Sequence, residues 1–203
     1  MNHTPLSSSP GGLQWLKRTV VASALFLVEF FKIAVVAGVT IVLVRYFLFK
    51  PFYVKGASME PNFYDHEYLI IDEVNYRLHD PVRGEVIVFR HPENPKEYFL
   101  KRIVGLPGER VRVSGGRVSI YNRSYPEGLA LAESYLSTTT ITGGDLTITL
   151  GPDQFFVLGD NRGNSYDSRR FGPVDRPAIV GRAWFRGWPF GRMQTFSAPS
   201  FNF

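Results

Sequence analysis

The sequence predicts a mainly β protein: a folded antiparallel sheet or open barrel behind an N-terminal transmembrane helix. Three observations lead there. A long apolar region lies between Lys17-Arg18 and Lys50-Pro51. From Phe52 onward the hydrophobic residues recur with a period of two, not that of a helix. Glycines and prolines fill the gaps between these alternating runs, and no helical period of comparable strength returns.

Length and composition set the frame. At 203 residues the chain holds one ordinary domain, or one domain plus a membrane anchor. Hydrophobic residues make up 44% and charged residues 20%, so most of it should fold. The absence of cysteine removes disulfides, thiolate nucleophiles and cysteine zinc sites. A net charge of +5 fits either nucleic acid or an anionic membrane surface. Toward the C-terminus Arg162, Arg169, Arg170, Arg176, Arg182, Arg186 and Arg192 alternate with Asp160, Asp167 and Asp175, forming no continuous basic run. With no zinc-finger spacing, RNA-binding aromatic signature or helix-turn-helix, no nucleic-acid partner is expected.

Residues 1–19 read as a polar tail, of which "MNHTPLSSSPGG" (1–12) is rich in Ser, Pro and Gly and expected to be disordered. Residues 20–50 form the anchor region. Glu29 and Lys32 interrupt it; the cleanest part runs from Ile33 to Val44, and continuing to Phe49 gives 17 residues, the short end for a spanning helix. Lys50-Pro51 supplies the stop. A removable signal should end in a small-x-small cleavage site, whereas this run ends in the bulky "VRYFLFKPF", so an uncleaved anchor is expected. Lys17, Arg18 and Lys32 precede the clean segment and Arg45, Lys50 and Lys55 follow it, so charge does not decide orientation.

Residues 51–203 form the β domain. "EYLIIDEV", "GEVIVFR", "YFLKRIVG", "ERVRVSGGRVSIY", "DLTITL" and "QFFVLGD" all read as strands. Within the fourth, Val111 and Val113 alternate with Arg110 and Arg112, and Gly115-Gly116 turn the chain into Val118 and Ile120 as a hairpin. Residues at about 121–145 carry the least pattern and read as an insertion or flap.

Three segments carry possible chemistry. In "GASMEP" (56–61), Ser58 is either a loop hydroxyl or a nucleophile in need of a base. Of the four histidines, His3 lies in the tail, and His66, His79 and His91 sit in polar, turn-like contexts expected at the surface. Lysine can serve instead if burial keeps it neutral. In "YFLKRIVG", Phe99, Lys101 and Ile103 share one strand face, where flanking apolar side chains penalise the ammonium; a lysine snorkelling from a half-buried face is the plainer alternative. The third segment, "VLGDNRGNSYDSRRFGPV" (157–174), packs Asp160, Asn161, Arg162, Asn164, Ser165, Asp167, Ser168 and Arg169 behind an apolar strand. It reads as a solvated loop or as a functional loop held by a rigid sheet.

"GASMEP", "RGEVIVFRHP", "KRIVGLPGE" and "FFVLGDNRGNSYDSRRFGPV" together resemble, in order and spacing, the bacterial type I signal peptidases, and "GRAWFRGWPF" extends the likeness to about Pro189. The resemblance implies a membrane-anchored serine endopeptidase that removes signal peptides from exported preproteins, cutting after small residues of Ala-x-Ala type. It implies Ser58 as nucleophile and Lys101 as general base, with no metal or organic cofactor. Ser165 would orient the lysine by a hydrogen bond, while Asp160, Asp167 and Arg169 would hold the loop. The oxyanion region would comprise Gly56 and Ser58, with the Ser58 N–H as first donor. The expected partners are preprotein signal peptides and membrane lipid. The expected place is the inner or plasma membrane, single-pass, with the catalytic domain extracytoplasmic and Trp184, Phe185, Trp188 and Phe190 available for lipid or core contact.

Three positions depart from the family pattern: Gly56, where some members carry an oxyanion-hole serine; Asn62, where threonine is common; and Gly163, a frequent aspartate. A self-cleaving repressor of similar β fold would need a DNA-binding module and a scissile Ala-Gly, and here Ala37-Gly38 lies inside the apolar segment. A membrane-anchored scaffold would not need Ser58, Lys101 and Ser165 together.

Overall fold

A computed structural model describes residues 11–47 and 49–202. The chain divides into an N-terminal helical unit and a β unit that begins at Phe47. Most of the tail expected at residues 1–12 lies outside the described residues. Helix α1, Gly11–Phe47, starts within the polar segment and runs for 37 residues. Within its stretch Gln14–Val42, the most apolar 18 residues have a mean hydropathy of 2.3, and none of them is buried. At about 1.5 Å per residue, the 29 residues of that stretch exceed the ~30 Å of a hydrocarbon core. It is longer than the clean segment in the sequence because the interrupting charges neutralise each other one turn apart: Lys32 Nζ donates to Glu29 Oε1 at 2.8 Å. Thr19 and Thr40 likewise return their hydroxyl protons to carbonyls one turn back, Trp15 and Val36.

The β unit contains, in chain order, β1 (Phe49–Tyr53), β2 (Tyr68–Asp72), β3 (Val86–Arg90), β4 (Tyr98–Gly105), β5 (Arg110–Ser114), β6 (Arg117–Tyr121), β7 (Leu129–Ala130), β8 (Leu146–Thr149), β9 (Gln154–Leu158), β10 (Val174–Asp175), β11 (Ile179–Trp188) and β12 (Gln194–Thr195). The larger, eight-stranded sheet has the order β1-β2-β11-β3-β4-β9-β10, with β12 added on β11; the smaller has the order β7-β6-β5-β8. The pairings are antiparallel. Among the described residues neither sheet closes into a barrel. Of residues 121–145, Tyr121 ends β6 and Leu129–Ala130 form β7; the rest run as turns and irregular chain.

Local sequence explains these elements. Gly115 (φ 58°) and Gly116 (φ 80°) both take the left-handed conformation that a two-residue hairpin needs, placing Val113 opposite Val118. Strand β5 alternates and buries one face, Val111 and Val113, in a core with Val118, Ile120, Phe156 and Leu158. Strands β3 and β4 are largely buried on both faces; β3 therefore reads as an apolar run, whereas β4 also buries Lys101 and Arg102. Leu100 joins one core with Met59, Phe63 and Leu69, while Ile103 joins a second with Phe89 and Val157. Strand β11 was hidden by its glycines and arginines. A Cβ on Gly181 would lie 2.5 Å from the Asp72 carbonyl oxygen, so that position requires glycine for β11 to approach β2.

Arginines and acids, most of them from distant parts of the chain, form buried pairs, including Arg83–Glu109 (2.7 Å), Arg102–Asp160 (2.6 Å), Arg169–Asp167 (2.8 Å) and Arg186–Glu67 (3.1 Å). Removing one member of such a pair strands the other charge in low dielectric. Glu109 also accepts from Leu106 N and Asn122 Nδ2, tying the β4–β5 turn to the end of β6. Arg83→Met is therefore expected to lower unfolding stability by about 3–5 kcal/mol, and Arg83→Met with Glu109→Leu to recover much of that loss. Denaturant midpoints of the wild type and both variants check this.

Candidate active site

The serine segment is shaped from its backbone outward. Gly56 holds φ at +89°, and its N–H donates to Asp65 Oδ1 at 2.9 Å. The turn continues through Glu60 N to Ala57 O (3.2 Å) and Phe63 N to Met59 O (2.9 Å). Met59 and Phe63, each 1% exposed, pin it into the core. Ser58 is thus held on a fixed turn. Its carbonyl accepts from Asn161 N at 3.0 Å, and Asn161 Nδ2 donates to Ala57 O at 3.0 Å.

Lys101 comes from the middle of β4 and is 4% exposed. Its Nζ donates to Ser58 Oγ at 2.8 Å and to Leu100 O at 2.9 Å, and lies 5.2 Å from the Phe99 ring centre. Burial lowers its pKa from 10.5 to about 8, against the opposing pull of the Asp167 and Asp160 carboxylates. A lysine that loses its proton near neutrality, within hydrogen-bond reach of a hydroxyl, can accept that hydroxyl's proton.

The loop after β9 supplies the rest. Asp160 takes two bonds from Arg102, at 2.8 and 2.6 Å, and a third from Asn62 Nδ2 at 2.8 Å. Asn62, one of the three departures from the family pattern, thus caps this carboxylate. Asp167 is N-cap of α2 (Ser168–Phe171) and accepts from Arg169 and from Gly159 N. Burial works to raise its pKa, but these bonds and the Arg169 charge hold it below the ordinary carboxylate value. Arg169 also donates to Gly143 O and Arg162 O.

Ser165 differs from the expectation. Its Oγ is buried and forms no hydrogen bond of normal geometry, so the bond to Lys101 is not made. The hydroxyl lies close enough to Asp167 to help lower that carboxyl's pKa, short of the geometry of a bond. It packs against Gly159, where a Cβ would stand 2.2 Å from Ser165 Oγ and 2.4 Å from Ser58 O. Gly159 is thus a site residue that sequence reasoning missed, although it stood within the quoted "LGDN". Also missed was Arg162, whose side chain is 1% exposed and pairs with Glu133; it bonds Thr142 Oγ1 and Gly159 O as well, stitching the insertion to the loop. His91 is a correction: it is 6% exposed, not a surface residue, because Phe99, Tyr166 and Phe171 stack around its ring.

Ser58 and Lys101 open onto a groove of about 650 Å³ whose walls are residues 52–59 on one side and 97–101 on the other, with Asn164 and Tyr166 at the end. A smaller cavity of about 270 Å³ lies on the Arg102 side of the sheet and does not include Ser58 or Lys101. Among the described residues no group of His, Cys, Asp and Glu is arranged to hold a metal ion.

The chain resembles known proteins over most of its length. The family described as "Signal peptidase, peptidase S26" matches residues 27–188. The chain is 39% identical over 170 residues to the probable signal peptidase I-2 of Synechocystis sp., covering 81% of this chain and 75% of that protein. It is 40% identical over 174 residues to the signal peptidase I of Leptolyngbya laminosa, covering 80% and 81%. A crystal structure of a signal peptidase I from Enterococcus faecalis aligns with 51% of this chain and 97% of that one, at 32% identity and a TM-score of 0.43. The chain therefore belongs to the signal peptidase family, peptidase S26, and is an enzyme of the signal peptidase I type.

Proposed function

We propose that the enzyme removes signal peptides from exported preproteins by a Ser58–Lys101 dyad, cutting after small residues. The observation that carries this is the 2.8 Å contact between Ser58 Oγ and an Nζ whose burial brings its pKa to about 8. Neutral Lys101 takes the hydroxyl proton as Oγ attacks the scissile carbonyl. The proton passes to the leaving amine, and a water activated by the same lysine then hydrolyses the ester. Asp160, Asp167 and Arg169 hold the loop against which the dyad is built, and Ser165 fills the space beside Gly159.

The groove suits an extended substrate. Residues 98–101 of β4 pair with β3 on one side, but pairing with β9 on the other begins only at Arg102. This leaves a stretch of strand edge beside the groove to which a peptide can add. Phe52, Met59, Phe99 and Tyr166 fill the walls with large side chains, which favours small substrate side chains next to the cut. Helix α1 serves as the single membrane span, with the β domain on the extracytoplasmic side of the inner or plasma membrane. Trp184, Trp188 and Phe190 are exposed and suited to lipid contact, while Phe185 is half-buried.

The dyad should act as a unit. Ser58→Ala and Lys101→Ala are each expected to cut preprotein cleavage by at least roughly a thousandfold, with the double variant little worse than either. Single-turnover assays in detergent check this, and near-normal turnover by folded Ser58→Ala protein would end the reading.

The pH dependence has a definite sign. Neutral Lys101 is the working form, so kcat/KM should rise with pH through an apparent pKa near 8. The same shift works against stability. Folded Lys101 binds its proton more weakly than the unfolded chain, so its cost is full below about pH 8 and is relieved as pH rises toward 10.5. Stability measured against Lys101→Met should show a difference on the order of 3 kcal/mol at pH 7 that fades by pH 10.5.

Gly56→Ser should change turnover by less than about tenfold, far below the effect of losing an oxyanion donor. A serine Cβ meets nothing within 4 Å there, but the φ of +89° strains it, so a stability loss of about 1–2 kcal/mol is expected. A hundredfold gain in turnover would instead show that the hole lacked a donor.

A further inference from the structure

We propose that a third, shallow and open cavity, on the far side of Ser58, binds the first residues released beyond the cut and selects basic side chains there. This rests on Ser58 being the nucleophile. The cavity measures about 510 Å³ and is lined by Glu60, Thr140, Ile141, Asn161 and Gly163, among others. It adjoins the substrate groove through shared chain. The turn that carries Ser58 continues into Glu60, and the loop that closes the groove at Asn164 and Tyr166 contributes Asn161 and Gly163 here. Asn161 is bonded to the carbonyl of Ser58 itself at 3.0 Å. A peptide whose scissile carbonyl sits at Ser58 Oγ, with its acyl half in the groove, continues into this cavity with its amine half.

The charges of the cavity are unequal in their freedom. Asp160 gives its oxygens to Arg102 and Asn62, and Arg162 is paired with Glu133. Glu60, half-buried, has no hydrogen bond or ion pair from its side chain among the described residues. The free charge a substrate meets is therefore one carboxylate. Ile141, 71% exposed, offers an apolar surface for the stem of a lysine or arginine. Gly163 leaves the opposite side open: a Cβ there meets nothing within 4 Å, and its φ is not in the left-handed region. An aspartate fits at that position and would add a second negative charge.

A preprotein series identical up to the cut, with Lys, Gln or Glu placed singly at each of the first three positions beyond it, tests this. At one or more positions wild-type kcat/KM should favour Lys over Glu by about two- to fivefold, the range for a partly exposed ion pair, and the ratio should shrink at high salt. Glu60→Lys should reverse the preference. Gly163→Asp should widen it, and it stands in should Glu60→Lys fail to fold. Efficient cleavage with no charge preference, or with a preference that neither variant moves, overturns the inference alone. A wild-type enzyme that cuts none of the series overturns the dyad reading and this inference with it.

Discussion

The proposed dyad depends on keeping an ammonium group out of water. Lys101 stands between Phe99 and Ile103 on a strand covered on both faces, and burial is what brings its pKa near neutrality. Two carboxylates nearby, Asp167 and Asp160, act in the opposite direction. Left bare, they would restore the charge that Lys101, as the proposed base, must lose. Neither is bare: Arg102 and Asn62 take up Asp160, while Arg169 and the Gly159 N–H take up Asp167. The ion pairs of the loop thus do more than hold its shape, since they spend the acids' field on cations other than the lysine.

The same pairs explain how a chain rich in charge builds so much interior. Arg102 reaches Asp160 across 58 residues, and its guanidinium also stacks on Tyr135 at 4.0 Å. Asn62 donates to Tyr135 O as well as to Asp160. With Arg162 bound to Glu133 and Arg169 bound to Gly143 O, the least regular segment of the sequence is fastened to the site by polar contacts, not by a hydrophobic face. That is why it has no periodicity: its order comes from partners elsewhere in the chain.

Legibility in the sequence follows this division. Strand β4 was readable to its ends, and the β5–β6 hairpin to its turn, because alternation and the Gly-Gly pair are local signals. Lys101 could be singled out because its flanking residues lie on the same strand. Strand β11 could not be read, since its glycine at 181 serves contact with β2 and its arginines serve acids on or beside other strands. His91 looked exposed because its sequence neighbours are polar, whereas the rings around it come partly from Tyr166 and Phe171. The hydrogen bond expected of Ser165 depends on rotamer and loop height, which no motif carries.

The position of β11 governs when such an enzyme can exist. In the large sheet, β2, β11 and β3 lie between β1, which leads into Ser58, and β4, which carries Lys101. Strand β11, at residues 179–188, is made long after either. As the chain emerges from its N-terminus, the serine and the lysine therefore belong to two unjoined pieces of sheet until the late strand inserts between them. Pairing over such separations is slow, because the loop must close before the contacts repay it. On the reading of Ser58 and Lys101 as the catalytic pair, a nascent chain stays silent as a protease until β11 has joined the two pieces.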